Sequence, residues 1–446
     1  MPSQLITGSM VAVAQALRRR SIAPVELAQR QLASIEKGKE LHAFITPPGE
    51  AALRDARRAG ERLARREAGP LLGVPIAIKD LFATRGVRTT GGSKILRDWV
   101  PSRDSTVVSR LRAAGAVIFG KTNLHEFAYG VTNANPWWGV ARNPRDASRI
   151  PGGSSGGSAI AVVAGMAAAA MGTDTGGSIR IPASLCGCVG LKPTFGAVPL
   201  ERTIPLGWSL DHAGPITWTV DDAGVLFDVL SGTQTWHKAR RRTRKAVAGI
   251  RVGVLRGGLV QPCEPGILAA LDAATTSLRR LGVRVREMAL VELDWTVAAQ
   301  LVTLRAEAAA VHARWFASRP RDYGPEVRVR LQLGALVSGA DYVLAQRIRA
   351  RIREALRAAF QSVDLLLLPT TPIRATPLEQ RTVRWRRGDE PVDGALVRLT
   401  APFNLTGVPA LSVPARATGL PVGLQVVGRW NDEATVLTLG RALEDQ

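Results

Sequence analysis

The chain has 446 residues, of which 46% are hydrophobic and 22% are charged. This composition is ample for a large buried core and excludes a disordered or fibrous protein. The formal net charge is +22, and a basic surface can attract nucleic acid or anionic membrane. However, the arginines are scattered, aromatic residues make up only 5%, and no RNA-binding motif is present. We therefore interpret the charge as a solvated surface and do not expect a nucleic-acid partner.

Cysteine usage and the N-terminal residues narrow the class of protein further. The three cysteines at 186, 188 and 263 are an odd number without nearby histidine ligands, so neither a disulfide framework nor a zinc site is expected. Residues 1–16 lack the basic and long apolar segments of a secretory leader. The apolar stretch 159–171 has 13 residues, which is too few to cross a bilayer. The sequence predicts a cytoplasmic protein without membrane contact.

Helix and strand patterns alternate along the chain. Residues 9–37 carry apolar residues at helical spacing, and Pro24 fits the first turn of a second helix, so a helical hairpin is predicted. The further predicted elements are a strand at 71–78, a helix at 105–114, a strand at 116–119, a helix at 159–170, a strand at 250–255, a helix at 265–281, helices over about 295–360, and strands at 364–368, 410–413 and 422–427. This alternation predicts a sheet covered by helices on both faces.

One candidate domain boundary stands out, the basic run at 235–248. A strand, helix, strand order resumes directly after it, so we interpret this run as an exposed excursion rather than a domain boundary. The predicted organisation is one domain over 1–446. Its parts are a helical region at 1–65, a catalytic core at 66–232, a basic surface excursion at 233–248, and a second half of the same sheet at 249–446.

Three segments carry residues suited to chemistry, at 73–80, 152–158 and 172–180. The first ends with Lys79 in a run that should be sheet interior. A lysine at the end of an apolar strand usually marks where the chain meets water. Burial, however, lowers a lysine's pKa and yields a neutral amine that can act as a general base.

The segment 152–158 is rich in glycine and serine, which suits a linker, but it runs directly into an alanine-rich helix. It lacks the lysine of a phosphate-binding loop. Its first five residues fit the nucleophile elbow of Ser-His-Asp esterases. Of the candidate histidines, His237 lies in a basic run and His312 in a helical pattern, which leaves only His212 and makes the esterase alternative weak.

Ser178 follows two glycines in the third segment. Such a turn is either an ordinary tight turn or one that points successive backbone N–H groups at a single spot, as an oxyanion hole does. Two Gly-Gly-Ser turns joined by one helix favour the second interpretation, because the helix holds their hydroxyls at a fixed separation.

Together the three segments resemble the amidase signature family, and further matching pieces extend the resemblance over most of the chain. These pieces lie at 121–123, 126–127, 142–144, 182–184, 190–194, 210–215, 404–410 and 419–425. The resemblance implies a single large α/β/α domain whose central sheet is mixed and mostly parallel.

The resemblance also implies a Ser-cisSer-Lys triad, with Ser178 as nucleophile, Ser154 as the cis-peptide serine and Lys79 as base. It places the oxyanion hole at the backbone of Thr175, Gly176, Gly177 and Ser178. The residues expected to support the triad from its surroundings are Ser155, Asp174 and Arg180. The implied reaction is hydrolysis of a carboxamide through an acyl-enzyme, without a metal or organic cofactor.

The substrate stays open at this stage. Relatives in the family hydrolyse fatty-acid amides, indoleacetamide, malonamide or biuret, or serve as the A subunit of a tRNA-dependent amidotransferase. We favour a stand-alone amidase acting on a small-molecule amide, because the chain is shorter than these A subunits typically are, with His212 where they usually have glutamine. Arg330 falls where the A subunit binds a carboxylate, but arginines fill this helix, so a plain helix-face position is preferred.

Three further alternatives remain. The pair Trp137 and Trp138 suits either a substrate funnel or simple packing. A homodimer is consistent with the resemblance. A catalytically idle scaffold of the same fold is disfavoured, because Lys79, Ser154 and Ser178 are all intact.

Overall fold

The computed structural model of the chain describes residues 8–240 and 247–445. The helices are α1 Met10–Arg18, α2 Pro24–Lys37, α3 Glu50–Ala64, α4 Thr106–Ala113, α5 Gly156–Val163, α6 Arg180–Cys186, α7 Val220–Ser231, α8 Thr235–Ala239, α9 Pro265–Arg280, α10 Thr296–Ser318, α11 Pro325–Gly334, α12 Gly339–Ser362, α13 Val392–Arg398, α14 Ala401–Thr406 and α15 Glu433–Glu444. The strands are β1 Phe44–Thr46, β2 Pro75–Lys79, β3 Val117–Thr122, β4 Ala134–Asn135, β5 Gly139–Val140, β6 Ala169–Asp174, β7 Val189–Lys192, β8 His212–Thr217, β9 Arg251–Leu255, β10 Arg284–Met288, β11 Leu365–Pro369, β12 Thr382–Trp385, β13 Gly388–Pro391, β14 Ala410–Ala415 and β15 Val422–Gly428.

The two helices predicted near the N-terminus are confirmed as α1 and α2. The Ser9 side chain accepts a hydrogen bond from the Ala12 N–H and so caps α1. Pro24 occupies the first turn of α2, where its missing N–H would have no intrahelical partner. The Ser9 hydroxyl also donates to Asp222 at 2.7 Å, which joins the start of α1 to α7.

Eleven strands form one sheet in the order β1-β3-β2-β6-β8-β7-β14-β15-β11-β9-β10. Its strands come from both halves of the chain. The sheet is mixed, as expected, but the expectation of a mostly parallel sheet is corrected. In the described chain four of its strand pairs are parallel and six are antiparallel. The strands β8, β7, β14 and β15 follow one another in the sheet as antiparallel neighbours and account for most of the difference.

Both faces of the sheet are covered, as predicted. Along β11, Leu365 and Leu367 belong to one hydrophobic cluster, whereas Leu366 and Leu368 belong to another. Successive side chains of a strand point to opposite faces. The first cluster includes residues of α1, α4, α7, α9 and α15, and the second includes residues of α10, α12 and α14. The layers are therefore helix, sheet and helix.

The expected helix at 159–170 is wrong in its second half. The helix α5 ends at Val163, and Ala169–Asp174 forms the central strand β6. Gly165, at a φ of +65°, lies in the turn between them. Small apolar residues fit a buried helix and a buried strand equally well, so periodicity could not separate the two. The strand predicted at 71–78 likewise begins only at Pro75, after Gly73 at a φ of +81°.

The basic run is only partly exposed. Its first residues form α8, in which Trp236 is buried whereas His237 and Lys238 are exposed. Residues 241–246, which carry most of its arginines, lie outside the described residues. Among the described helices, none combines the length and hydropathy needed to span a membrane.

Candidate active site

The three segments singled out from the sequence meet at one edge of the sheet. Lys79 is the last residue of β2 and Asp174 the last residue of β6, and these strands are parallel neighbours. Their carboxyl ends therefore lie side by side. Ser154 precedes α5, the helix that returns the chain to β6. The peptide bond between Gly153 and Ser154 is cis.

Lys79 is fully buried among hydroxyl groups. Its Nζ atom lies 2.8 Å from Ser154 Oγ, 2.9 Å from Ser155 Oγ and 2.7 Å from Thr173 Oγ1. Burial lowers the pKa of Lys79 to about 7, although the charges of Asp174 and Asp211 act in the opposite direction. About half of the lysine is then neutral near pH 7, as a general base requires.

The three hydroxyls differ in what they can do for Lys79. The Ser155 hydroxyl donates to the Thr173 carbonyl at 3.1 Å and accepts from the Thr173 N–H at 3.3 Å. Its single proton is thus committed, and it can only accept from Lys79. The Ser154 hydroxyl has Lys79 as its hydrogen-bond partner in the described chain. Ser154 can therefore donate its proton to a neutral Lys79, as a relay needs.

Ser178 lies in the loop between β6 and α6 and is one of the residues that line a cavity of about 350 Å³. The Ser178 carbonyl accepts from the Ser155 N–H at 3.2 Å, which ties the two serine loops together. Within the described residues, the Ser178 hydroxyl makes no hydrogen bond to Ser154. Catalytic hydrogen bonds often close only when substrate is bound, so this geometry is compatible with Ser178 as nucleophile.

Asp174 organises the loop that precedes Ser178. Its carboxylate accepts from the Gly177 N–H at 2.8 Å and from the Ile179 N–H at 3.1 Å. Arg180 donates to it at 2.8 and 3.0 Å. Burial alone would raise the pKa of Asp174, but the charge and hydrogen bonds of Arg180 outweigh it and hold that pKa well below its ordinary value. Asp174 and Arg180 thus hold the backbone of the loop that carries Ser178.

Because the Gly177 N–H donates to Asp174, it is not free to bind a substrate oxygen in this arrangement. The N–H groups of Thr175, Gly176 and Ser178 have no such bond among the described residues. Gly177 is needed for another reason. Its φ is +132°, and a Cβ there would lie 2.2 Å from Thr400 Oγ1, which leaves no room for a side chain.

The cavity around Ser178, called the Ser178 cavity below, is lined by the ion pair of Arg330 and Asp393 and by Arg305. Arg330 lines it and donates to Asp393, Glu326 and the Tyr129 carbonyl. Its other walls are mostly apolar. The position of Arg330 in the cavity differs from the preferred expectation of a plain helix-face residue.

Trp137 and Trp138 do not line the Ser178 cavity. Trp137 donates through Nε1 to Glu126 at 2.9 Å. The guanidinium of Arg88 lies 5.0 Å from the ring centre of Trp138. These contacts favour the packing interpretation over the funnel.

The histidines do not assemble an esterase triad. His212 is buried, and its Nδ1 faces the Leu210 carbonyl at 2.7 Å. Its described hydrogen bonds do not include Ser154 or Ser178. Burial lowers the pKa of His212 well below its ordinary range. His312 contacts Tyr323 at 3.0 Å instead.

Thr173 was the residue that the sequence did not single out. It lies in the matched segment 172–180, yet nothing in the sequence marks its hydroxyl as a partner of Lys79. The feature that could have indicated this contact is the register of β2 against β6, in which Ile78 pairs with Met171. Continued by one residue, that register brings Lys79 opposite Gly172, the neighbour of Thr173, but the register is set by tertiary pairing.

Comparison with known proteins identifies the family of the chain. A family model described as Amidase matches residues 26–437. The chain belongs to the amidase family. The resemblance to amidase signature enzymes is thereby confirmed, and with it the α/β fold.

Three individual proteins are similar to this chain over nearly its whole length. The A subunit of the glutamyl-tRNA(Gln) amidotransferase of Geobacter sp. (strain M21) is 38% identical over 96% of this chain and 95% of that protein. A crystal structure of an amidase is 38% identical, with a TM-score of 0.92 over 98% of this chain and 99% of that chain. A structure of a vestigial protein complex, described as revealing the evolutionary origins of an s-triazine catabolic enzyme, is 34% identical, with a TM-score of 0.92 over 98% of both chains.

Proposed function

We propose that this protein is an amidohydrolase that cleaves a carboxamide C–N bond through an acyl-enzyme on Ser178. The observation that carries the proposal is the buried Lys79, bonded to the Ser154 hydroxyl at 2.8 Å and surrounded by hydroxyl groups. Membership of the amidase family supports the reaction class.

The reaction begins with proton transfer. Neutral Lys79 takes the proton of Ser154, and Ser154 takes that of Ser178 as its oxygen attacks the carbonyl carbon. The oxygen of the tetrahedral intermediate lies against the loop that contains Thr175 and Gly176, whose N–H groups stabilise its negative charge.

Collapse of the intermediate requires protonation of the nitrogen, because an amide nitrogen is too basic to leave as an anion. The relay runs in reverse, so that Lys79 returns a proton through Ser154 to the leaving amine. A water molecule, activated by the same relay, then hydrolyses the acyl-enzyme to a carboxylate. No step requires a metal or an organic cofactor.

The test is intact-mass spectrometry after treatment with a serine-directed fluorophosphonate, with release of ammonia from simple amides measured alongside. We expect one adduct on the wild type and none on Ser178→Ala. The matched control is Ser158→Ala, because Ser158 is an equally buried serine that bonds the Met171 carbonyl rather than Lys79. A retained adduct on Ser178→Ala, or neither label nor ammonia from the wild type, would overturn the proposal.

A second candidate is the glutamine-hydrolysing A subunit of a tRNA-dependent amidotransferase. The observation in its favour is the pair of Arg330 and Asp393 in the Ser178 cavity. A free amino acid carries a carboxylate and an ammonium, which would pair with Arg330 and Asp393 respectively. The length of the chain no longer argues against this candidate, since it spans 95% of the Geobacter protein.

Glutamine and butyramide separate the two candidates, because butyramide has the same amide end without the charges. If glutamine is the substrate, Arg330→Ala should raise KM for glutamine at least tenfold and leave butyramide hydrolysis within twofold. If wild type cleaves butyramide but not glutamine, the second candidate fails. A homodimer and a complex with other subunits both stay predictions.

A further inference from the structure

Two cavities meet at the loop that carries the nucleophile. One is the Ser178 cavity. The other has a volume of about 310 Å³, includes Thr173 and Trp208 in its lining, and is called the Thr173 cavity here. The lining residues common to both are Ala128, Thr175 and Leu206. A substrate at Ser178 therefore has space on either side of Thr175.

The Thr173 cavity reaches the base rather than the nucleophile. Thr173 Oγ1 lies 2.7 Å from Lys79 Nζ, whereas Ser178 is absent from this cavity's lining. During cleavage the substrate oxygen faces the N–H groups of the loop, and the nitrogen must face the relay that protonates it. Substituents on that nitrogen then point toward the Lys79 side of the site.

From this arrangement we propose that the Thr173 cavity is a leaving-group subsite, and that the enzyme cleaves N-substituted amides whose amine part is uncharged and largely apolar. The acyl part of such a substrate occupies the Ser178 cavity. This inference rests on the proposed amidohydrolase function and adds the substrate class.

The walls of the Thr173 cavity fit such an amine. Leu81, Leu200 and Ile204 provide apolar surface, and Trp208, which is 52% exposed, offers an aromatic ring toward solvent. A cavity of about 150 Å³ already holds benzene, so about 310 Å³ accommodates an aryl amine.

The polar groups of this cavity argue against a cationic amine. The buried Asp211 carboxylate already accepts from the Thr175 hydroxyl at 2.6 Å and from the Leu206 N–H at 2.9 Å. It is thus committed to holding its own loop. The Thr203 hydroxyl is buried and has no hydrogen-bond partner among the described residues, so it is available to one polar atom of the ligand.

The test compares butyranilide with butyramide, which share an acyl group and differ only on the nitrogen. We expect Trp208→Ala to lower kcat/KM for butyranilide about tenfold and to leave that for butyramide within twofold. The matched control is Trp295→Ala, because Trp295 is similarly exposed at 45% and lines neither cavity. A second variant, Leu200→Trp, should fill the cavity and again impair only butyranilide.

A further readout excludes a general structural effect. Both substrates give the same butyryl-enzyme, so its partitioning between water and added hydroxylamine should be identical for both and unchanged by Trp208→Ala. If Trp208→Ala lowers kcat/KM equally for the two amides, or if the wild type cleaves butyramide but not butyranilide, the leaving-group subsite is overturned. The proposed function stays intact in both cases. If the wild type cleaves neither amide and takes no fluorophosphonate label, both the subsite and the proposed function fail.

Discussion

The rate at which Ser178 is acylated should follow the protonation of Lys79. Burial lowers the pKa of this lysine from 10.5 to about 7. An ordinary lysine is neutral in roughly one molecule of 3,000 at pH 7, whereas Lys79 is neutral in about half. The shift therefore supplies a gain of about 10³ in reactive enzyme at neutral pH, equivalent to about 4 kcal/mol.

The assay is the rate of fluorophosphonate labelling from pH 5 to 10, which reports acylation without a leaving amine. Since the neutral form is the base, the rate should fall about tenfold per pH unit below 7 and level off above it. Lys79→Met should lose both the rate and its pH dependence. A flat profile in the wild type, or the same midpoint in Lys79→Met, would refute the assignment of Lys79 as the base.

Three further outcomes are expected. Thr173→Val removes a hydroxyl that accepts from the Lys79 ammonium, so the charged form should lose support and the midpoint of the labelling profile should move below that of the wild type; an unchanged midpoint would contradict this role. Asp174→Asn leaves Arg180 buried without its carboxylate. Chemical denaturation should show a loss of about 3–5 kcal/mol in the free energy of unfolding. Removing one partner of the exposed pair Arg384 and Asp389 should cost less than about 1 kcal/mol. Gly177→Ala should abolish labelling, because its Cβ would overlap Thr400, whereas Gly339→Ala, with nothing within 4 Å, should label like the wild type.

The parts of the fold that the sequence predicted well are those with strong local signals. The helices α1 and α2 have helical periodicity, and α2 has a first-turn proline. The predicted helix at 159–170 extends into the first two residues of β6, because alanine-rich sequence carries no period that separates a buried helix from a buried strand. The direction of the strands in the second half of the sheet depends on long-range pairing, which local patterns do not encode.

The residues of the candidate site likewise divide into those that the sequence predicted and those that it did not. The segments that hold Lys79, Ser154 and Ser178 were found because their residue types and order are distinctive. Thr173 and the cavity position of Arg330 were not, because both depend on which elements meet in space. The commitment of the Gly177 N–H to Asp174 is likewise a property of the folded loop.

Burial alone does not make a lysine a base, as a comparison within this protein shows. Lys79, Lys121 and Lys192 are all fully buried, and burial lowers the pKa of each. Lys121 lies 3.3 Å from the Asp80 carboxylate, which favours the charged form. It also donates to the Thr89 hydroxyl, whose own proton is committed to the Val87 carbonyl. Lys192 donates to two backbone carbonyls, those of Pro193 and Val408.

The partners of Lys79 are of a different kind. A carboxylate or a carbonyl only accepts hydrogen bonds, so it cannot satisfy the lone pair of a neutral amine. A hydroxyl can either donate or accept, and of the three within 2.9 Å of Lys79 those of Ser154 and Thr173 are not committed to another acceptor among the described residues. Lys79 can therefore change its protonation state without leaving a buried polar atom unpaired, which would cost about 1–3 kcal/mol. The hydroxyl cage, more than the lowered pKa, is what suits Lys79 to exchange a proton in each half of the reaction.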